Sequence, residues 1–339
     1  KITSTGFEHV SGFASKNFIY MAIRRGGMQT PTTPSDVFNV AARTGASGGL
    51  GAYRSGFPAD MAFHKVANNS SNPYEIGSRL TQGRSLNTND NSAEVTQSDQ
   101  QYDFMDGWNN ETSSSSTKYA WMWKRARGYF DVVTYSGTGS ARTISHNLGA
   151  VPEMMWVKRR SGATNWAVYH KGTDASAPED YYLEINTATA RQDDSNRWND
   201  TAPTSSVFTV STGNAVNGSG ETYIAYLFAT VTGVSKVGSY TGSSSSAVTV
   251  DCGFSNGARF VLIKSVDGSG NWYLYDSVRG INSSADDAQL FLNTTDAETN
   301  NSNNIDPHSS GFTVTQQANS PISQNNETFI FYAIANDLS

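Results

Sequence analysis

Three lysines stand at the ends of apolar runs: Lys65 in "MAFHKV", Lys158 in "MMWVKR" and Lys264 in "FVLIKS". A second basic residue follows each after 13 to 15 positions: Arg79, Lys171 and Arg279. Asp276 stands three residues before the last of these. A cation at the end of a buried strand could hold an anionic ligand, and an aspartate–arginine pair could do acid–base work. The same residues also suit structural duty. A lysine stem covers apolar surface while its ammonium reaches the sheet edge, where it discourages unwanted strand pairing. An arginine bonded to a carboxylate or to loop carbonyls pins a turn. The structural reading is favoured because the cations recur beneath differing loops, whereas the acid does not. Ser78 and His170 stand where Asp276 does.

Hydrolysis of a glycosidic bond needs two carboxylates about 5–10 Å apart. Asp103 and Asp106 in "YDFMDGW", and Glu179 and Asp180 in "APEDYY", are the acid pairs available for it. Loop acids are more often solvated, so a depolymerase is the alternative and not the expectation. The five histidines (His9, His64, His146, His170, His308) are dispersed. No HExxH, Walker or GxGxxG pattern occurs. Stretches 87–94 and 296–306 are rich in oxygen ligands of the kind calcium takes, but neither has the spacing of the twelve-residue calcium loop. No cofactor is expected, and calcium is the one ion with candidate loops.

The expected recognition elements are aromatic. Trp and Tyr offer rigid contact area and stack on sugar faces. Trp108, Trp166, Trp198 and Trp272 lie near loops. Trp121, Trp123 and Trp156 lie in apolar strands and read as core. Asp267 and Asn271 flank Trp272 in the turn of "FVLIKSVDGSGNWYLYDSVRG" (260–280), the part that varies most between like segments. The receptor-binding expectation therefore names Trp108, Trp166, Trp198, Asp267, Asn271 and Trp272.

These residues sit on elements that recur. The segments 59–80, 152–172 and 258–280 align on Lys65, Lys158 and Lys264. Closing aromatic strands align at Phe18, Tyr119, Tyr223 and Phe329, spaced by 101 to 106 residues. Each unit reads as opening strand, glycine turn, apolar strand with lysine, aromatic strand, Leu/Asn-Thr strand, polar loop, Phe-opened strand and closing strand. The runs are short, rich in β-branched and aromatic residues, and separated by Gly/Asn/Ser clusters. The expectation is an all-β chain of tandem antiparallel β-sandwich-like repeats of about 100 residues. Residues 1–26 read as the last strands of a preceding or swapped repeat. A divergent repeat 1 covers 27–128, repeat 2 covers 129–234 and repeat 3 covers 235–339. Each unit is long enough to close its own core, so three sandwiches in a row are expected. A propeller with two blades per repeat is the alternative.

Composition agrees. Apolar residues make up 37% and charged residues 16% of the 339-residue chain, both low for a soluble enzyme. Aromatics reach 12%, enough to bury and so an argument against disorder. Net charge is −6 and no basic stripe stands out, so nucleic acid is not an expected partner. "WKRARG" (123–128) reads as a solvated linker. The single cysteine, Cys252, excludes an internal disulfide and suits a small buried hydrophobe. No run of 18 apolar residues would span a bilayer.

The segments Val151–Lys158, "VNGSGETYIAY" (216–226) and Phe260–Gly280 together resemble a repeat of virion proteins of marine tailed bacteriophages, tail-fibre-like proteins among them. The resemblance covers residues 129–339, and repeat 1 joins by internal analogy. It implies a β-rich structural or adhesin module on the virion surface and brings no catalytic residues with it. The expected partners are copies of the chain in a homo-oligomer, most naturally a trimer, other virion proteins, and a host-surface glycan or protein. A capsid-decorating protein is a further alternative.

Overall fold

The computed structural model describes residues 28–43, 53–109, 117–283, 285–317 and 320–337. The expected strands within 1–26 lie outside the described residues.

Repeat 1 contributes β1 (Phe38–Arg43), β2 (Tyr53–Arg54), β3 (Met61–Val66), β4 (Glu75–Ser78), β5 (Arg84–Asn87), β6 (Val95–Thr96), β7 (Gly107–Trp108) and β8 (Lys118–Trp123). Repeat 2 contributes β9 (Phe130–Ser136), β10 (Arg142–Ser145), β11 (Met154–Arg159), β12 (Ala167–His170), β13 (Tyr181–Tyr182), β14 (Gln192–Asp193), β15 (Val207–Val210) and β16 (Thr222–Phe228). Repeat 3 contributes β17 (Ser235–Thr241), β18 (Val248–Asp251), β19 (Ala258–Ser265), β20 (Tyr273–Asp276), β21 (Leu290–Phe291), β22 (Ile305–His308), β23 (Gly311–Val314) and β24 (Thr328–Ala335).

The fold is all-β and antiparallel, built from sandwich-like layers, as the sequence pattern indicates. The main sheets run β1-β8-β3-β4-β5-β6, β9-β16-β11-β12 and β17-β24-β19-β20-β21. The order is opening, closing, lysine and aromatic strand in every case. Each main sheet has a small companion: β2-β7, β10-β15 and β18-β23-β22.

Side chains alternate between two faces along a strand, and here both faces are buried. On β19, Phe260 and Leu262 enter one large cluster, while Val261 and Ile263 enter another. On β11, Met154 and Trp156 enter the large cluster, and Met155 and Val157 a separate one. The large cluster draws on all three repeats. The smaller ones lie between each main sheet and its companion.

This corrects the expected row of sandwiches. Each repeat does close a small core of its own, but the second face of its main sheet is equally apolar. Those three faces meet. Trp123 of repeat 1 packs edge-on against Phe260 of repeat 3 at 5.5 Å, and Phe228 of repeat 2 packs on Tyr332 of repeat 3 at 5.1 Å. The Trp166 Nε1 of repeat 2 donates to the Asn87 carbonyl of repeat 1 at 2.8 Å. The contacts therefore close into a ring around one shared core. Tight corners at Gly128 and Gly233, with φ of 74° and 73°, turn each closing strand into the next opening strand. That left-handed backbone suits glycine.

The strand register also corrects one alignment. Lys65 pairs with Tyr119, Lys158 with Ile224 and Lys264 with Ile330. Tyr119 is thus equivalent to Ile224 and Ile330, not to Tyr223 and Phe329. A slip of one residue exchanges the faces of a strand. Tyr119 accordingly packs on the shared core, whereas Tyr223 and Phe329 lie in outer ones.

Candidate functional site: the junctions between repeats

The three lysines lie on the inner face, one layer beyond the shared aromatic core, and all are fully buried. None reaches out to guard a sheet edge. Each ammonium crosses to a carbonyl of another repeat. Lys65 Nζ donates to the Thr295 carbonyl of repeat 3 at 2.7 Å, to Asn69 O at 2.9 Å and to Asn72 O. Lys158 Nζ donates to Asn91 O of repeat 1 at 3.1 Å and to Thr164 O at 2.8 Å. Lys264 Nζ reaches Ala188 O of repeat 2 at 3.4 Å and donates to Ser265 O at 2.8 Å. Burial pulls all three amines down to about 8, with Asp296, Asp90 and Glu327 respectively opposing the shift. A buried ammonium costs several kcal/mol unless its donors are engaged, and hydrogen bonds to a charged group return about 1.5–3 kcal/mol each.

Two residues past each lysine, the backbone repeats the same exchange. Ala67 O accepts from Glu298 N at 2.6 Å, Arg160 O from Glu94 N at 2.8 Å and Val266 O from Arg191 N at 2.9 Å. The side chains of these donors then form ion pairs. Glu94 holds Arg160 through bonds of 2.6 and 3.0 Å. Glu298 meets Arg279 at 3.0 Å, and Arg191 meets Asp267 at 3.7 Å. Sequence reasoning missed Glu94, Arg191 and Glu298. A signal was present, since each stands eight residues past the leucine of its Leu/Asn-Thr strand (Leu86, Leu183, Leu290). The reversed charge at Arg191 hides it.

The tryptophans expected on the surface are inside. Trp108, Trp166, Trp198 and Trp272 are at most 1% exposed, so none presents a ring face to solvent. Trp166 and Trp272 immediately precede the aromatic strands and seal junctions. The Trp272 Nε1 donates to the Glu184 carbonyl of repeat 2 at 2.9 Å. Tyr74 fills the same place in repeat 1. Trp198 donates to Tyr181 O at 3.1 Å within the outer core of repeat 2, and Trp108 lies in that of repeat 1. The physical reason is common to all four: an indole beside a short loop buries more apolar area under the loop than it would keep in contact outside it. Asp267 takes the Thr328 amide at 2.7 Å, and Asn271 accepts from Asn293 at 2.9 Å. Both serve the frame of the turn.

Asp276 and Arg279 form a closed network. Both side chains are 0% exposed and meet at 2.6 Å. Asp276 also accepts from Trp121 Nε1 at 3.0 Å, and Arg279 lies over the Trp121 ring at 5.4 Å. Arg279 is not the counterpart of Arg79 and Lys171, because strand pairing puts Ser277 in their place. Those two residues bind Asp60 and Glu153 at 3.3 and 2.7 Å. His170 accepts from the Gly172 amide at 3.0 Å and contacts Phe331 O of repeat 3 at 3.2 Å. It is therefore neutral with its proton on Nε2, and burial takes it down to about 3.

Two of the remaining candidate acids are also engaged. Asp103 accepts from Gln82 at 2.6 Å, and Asp106 pairs with Arg54. Glu179 and Asp180 sit on a short turn of repeat 2, Pro178–Asp180. Among the described residues, no three His, Cys, Asp or Glu side chains are grouped to hold a metal ion, and no helix is long and apolar enough to cross a membrane. In the oxygen-rich stretch 87–94, Asp90 accepts from Asn87 and Ser92.

A family model described as a domain of unknown function (DUF7483) matches residues 33–337. No curated protein matches the chain.

Proposed function

The chain belongs to the DUF7483 family, and from its geometry we propose that it is a non-enzymatic structural and binding module of a bacteriophage virion, a tail-fibre or appendage adhesin. One observation carries this reading. A large share of the aromatic residues and the buried lysines lock the three repeats together, while the loops between strands are polar. Such a body is a rigid carrier for surface loops, and binding falls to loops by default. The resemblance of repeats 2 and 3 to phage virion proteins supplies the setting. A host-surface glycan or protein is the proposed target. Other virion proteins are the proposed neighbours, and association into a homotrimer would multiply weak contacts.

Labelling of the chain in intact particles tests the setting, with signal on the tail or an appendage expected. Signal spaced on the capsid lattice would replace the adhesin with a decorating protein. Release of reducing ends from host polysaccharide would replace it with a depolymerase. Light scattering that returns the mass of a single chain would remove the trimer.

A further inference from the structure

The basic run at 124–127 is a tight corner and not a linker. It turns the closing strand of repeat 1 into β9, and the same turn of chain follows each closing strand. Three bonds put these corners in register. Lys124 N donates to Val37 O at 2.9 Å, Ala229 N to Tyr129 O at 3.0 Å and Ala335 N to Val234 O at 2.9 Å. Lys124 therefore stands where the other two corners carry alanine, and Arg125 where they carry Thr230 and Asn336. Arg125 belongs to the frame: its amide donates to Asp60 at 2.7 Å and its Nε to the buried Asp131 at 2.6 Å. The Lys124 ammonium has no such duty. Lys124 is half-buried, and its side chain forms no hydrogen bond or ion pair among the described residues.

The first corner also differs in what lies over it. β9 and β17 follow their corners directly, whereas β1 is reached along a strap, residues 28–37, that crosses the first corner. The strap is tied at three points. Gln29 O accepts from Arg127 N at 3.1 Å, the Ser35 amide donates to Asp337 at 2.8 Å, and Val37 O takes the Lys124 amide. Between strap and corner lies a cavity of about 510 Å³. Sites for small ligands run about 300–1,000 Å³. Thr30, Thr32 and Asp36 line the cavity from the strap, and Lys124, Arg125 and Ala126 from the corner. Asp36 is exposed, and like Lys124 its side chain has no bond among the described residues. The Arg125 charge is met by Asp131. One cation and one anion thus line the same cavity without meeting each other.

We propose that this cavity binds a sugar unit that carries a carboxylate. The sugar carboxylate accepts from the Lys124 ammonium, and hydrogen bonds between charged partners are the strong ones. The sugar hydroxyls donate to Asp36 and exchange bonds with the Thr30 and Thr32 hydroxyls, which both donate and accept. The proposal rests on the adhesin reading and gives it a site.

The test uses the full chain with digalacturonate as acidic probe, maltose as neutral probe and hexaglutamate as acidic peptide, together with whole host cells. Lys124→Ala installs the residue that the other two corners carry. It is expected to melt with the parent and to bind digalacturonate about tenfold more weakly, with cell binding falling in parallel. Asp36→Asn keeps the shape of the strap and removes its charge, with a several-fold loss expected. It decides the matter should Lys124→Ala not fold. Unchanged digalacturonate binding by both variants, with cells still bound, overturns the site and leaves the adhesin reading intact. Cell binding without affinity for digalacturonate also overturns the site alone. Maltose or hexaglutamate bound more tightly than digalacturonate overturns the acidic sugar as its ligand. Binding of neither sugars nor cells overturns both site and adhesin.

Discussion

The inner and outer faces of the main sheets follow different rules. Inner positions repeat their chemistry: lysine at 65, 158 and 264, and a large aromatic at Trp121, Tyr226 and Tyr332. Outer positions diverge, most of all in repeat 1, where His64, Lys118 and Gln100 occupy space that is apolar in the other two. An inner side chain must fit three repeats at once, whereas an outer one answers only to its own small sheet. Tolerance of change is therefore greatest on the outside, and a new function costs the frame least there.

The comparison can be broken first at Trp156, which is 0% exposed in the shared core. Trp156→Ala is expected to cost about 3–5 kcal/mol, against a typical total stability of about 5–15 kcal/mol. Calorimetry should show one transition moving down for the whole chain. Trp198→Ala, in the outer core of repeat 2, should instead split the transition. If both substitutions melt only one repeat, the shared core is not cooperative. Asp276→Ala removes the closer carboxylate of the buried Arg279 cation, leaving it Glu298, and should cost about 3–5 kcal/mol. Adding Arg279→Met should recover most of that loss in denaturant titrations.

The inner lysines sharpen the comparison through pH. Their folded values near 8 lie below the ordinary 10.5, so the unfolded chain binds more protons between these limits. Stability should therefore rise from about pH 8 to 10, and replacing all three lysines by methionine should flatten that rise. Above pH 10 the buried tyrosines, whose values are raised by burial, should reverse it. His64 and His170, taken down to about 3 by burial, should make stability fall as pH drops below 6.5. The smallest effect is expected at a half-exposed pair. Lys171→Ala removes the partner of Glu153, with the two side chains 38% and 24% exposed, and should cost at most about 1 kcal/mol.

Much of this frame was legible in the sequence. The lysines, the order of strands and the all-β class follow from spacing and composition. The ring was not legible. Runs such as "MMWV" and "FVLI" are apolar at every position, so alternation does not reveal that each sheet has two buried faces. The same ambiguity let Tyr119 be matched with Tyr223, one residue off the true register. The loop tryptophans misled for a different reason. Their sequence neighbours are polar, but the carbonyls that receive their indole protons, Asn87 O and Glu184 O, belong to distant segments. Arg279 was set beside Arg79 and Lys171 by its charge, whereas strand pairing assigns that place to Ser277.

The closure of repeat 3 onto repeat 1 sets a schedule for synthesis. Lys65 finds its acceptor at Thr295, 230 residues later, and the Ser35 amide finds Asp337 after 302. A ribosome adds about 5–20 residues per second, so the inner face of repeat 1 waits about 12–60 seconds for its last neighbours. During that wait Trp121 and Trp123 face water or a chaperone. A chain stopped after residue 234 would keep that exposure permanently, and its fate would be aggregation and not a smaller folded protein.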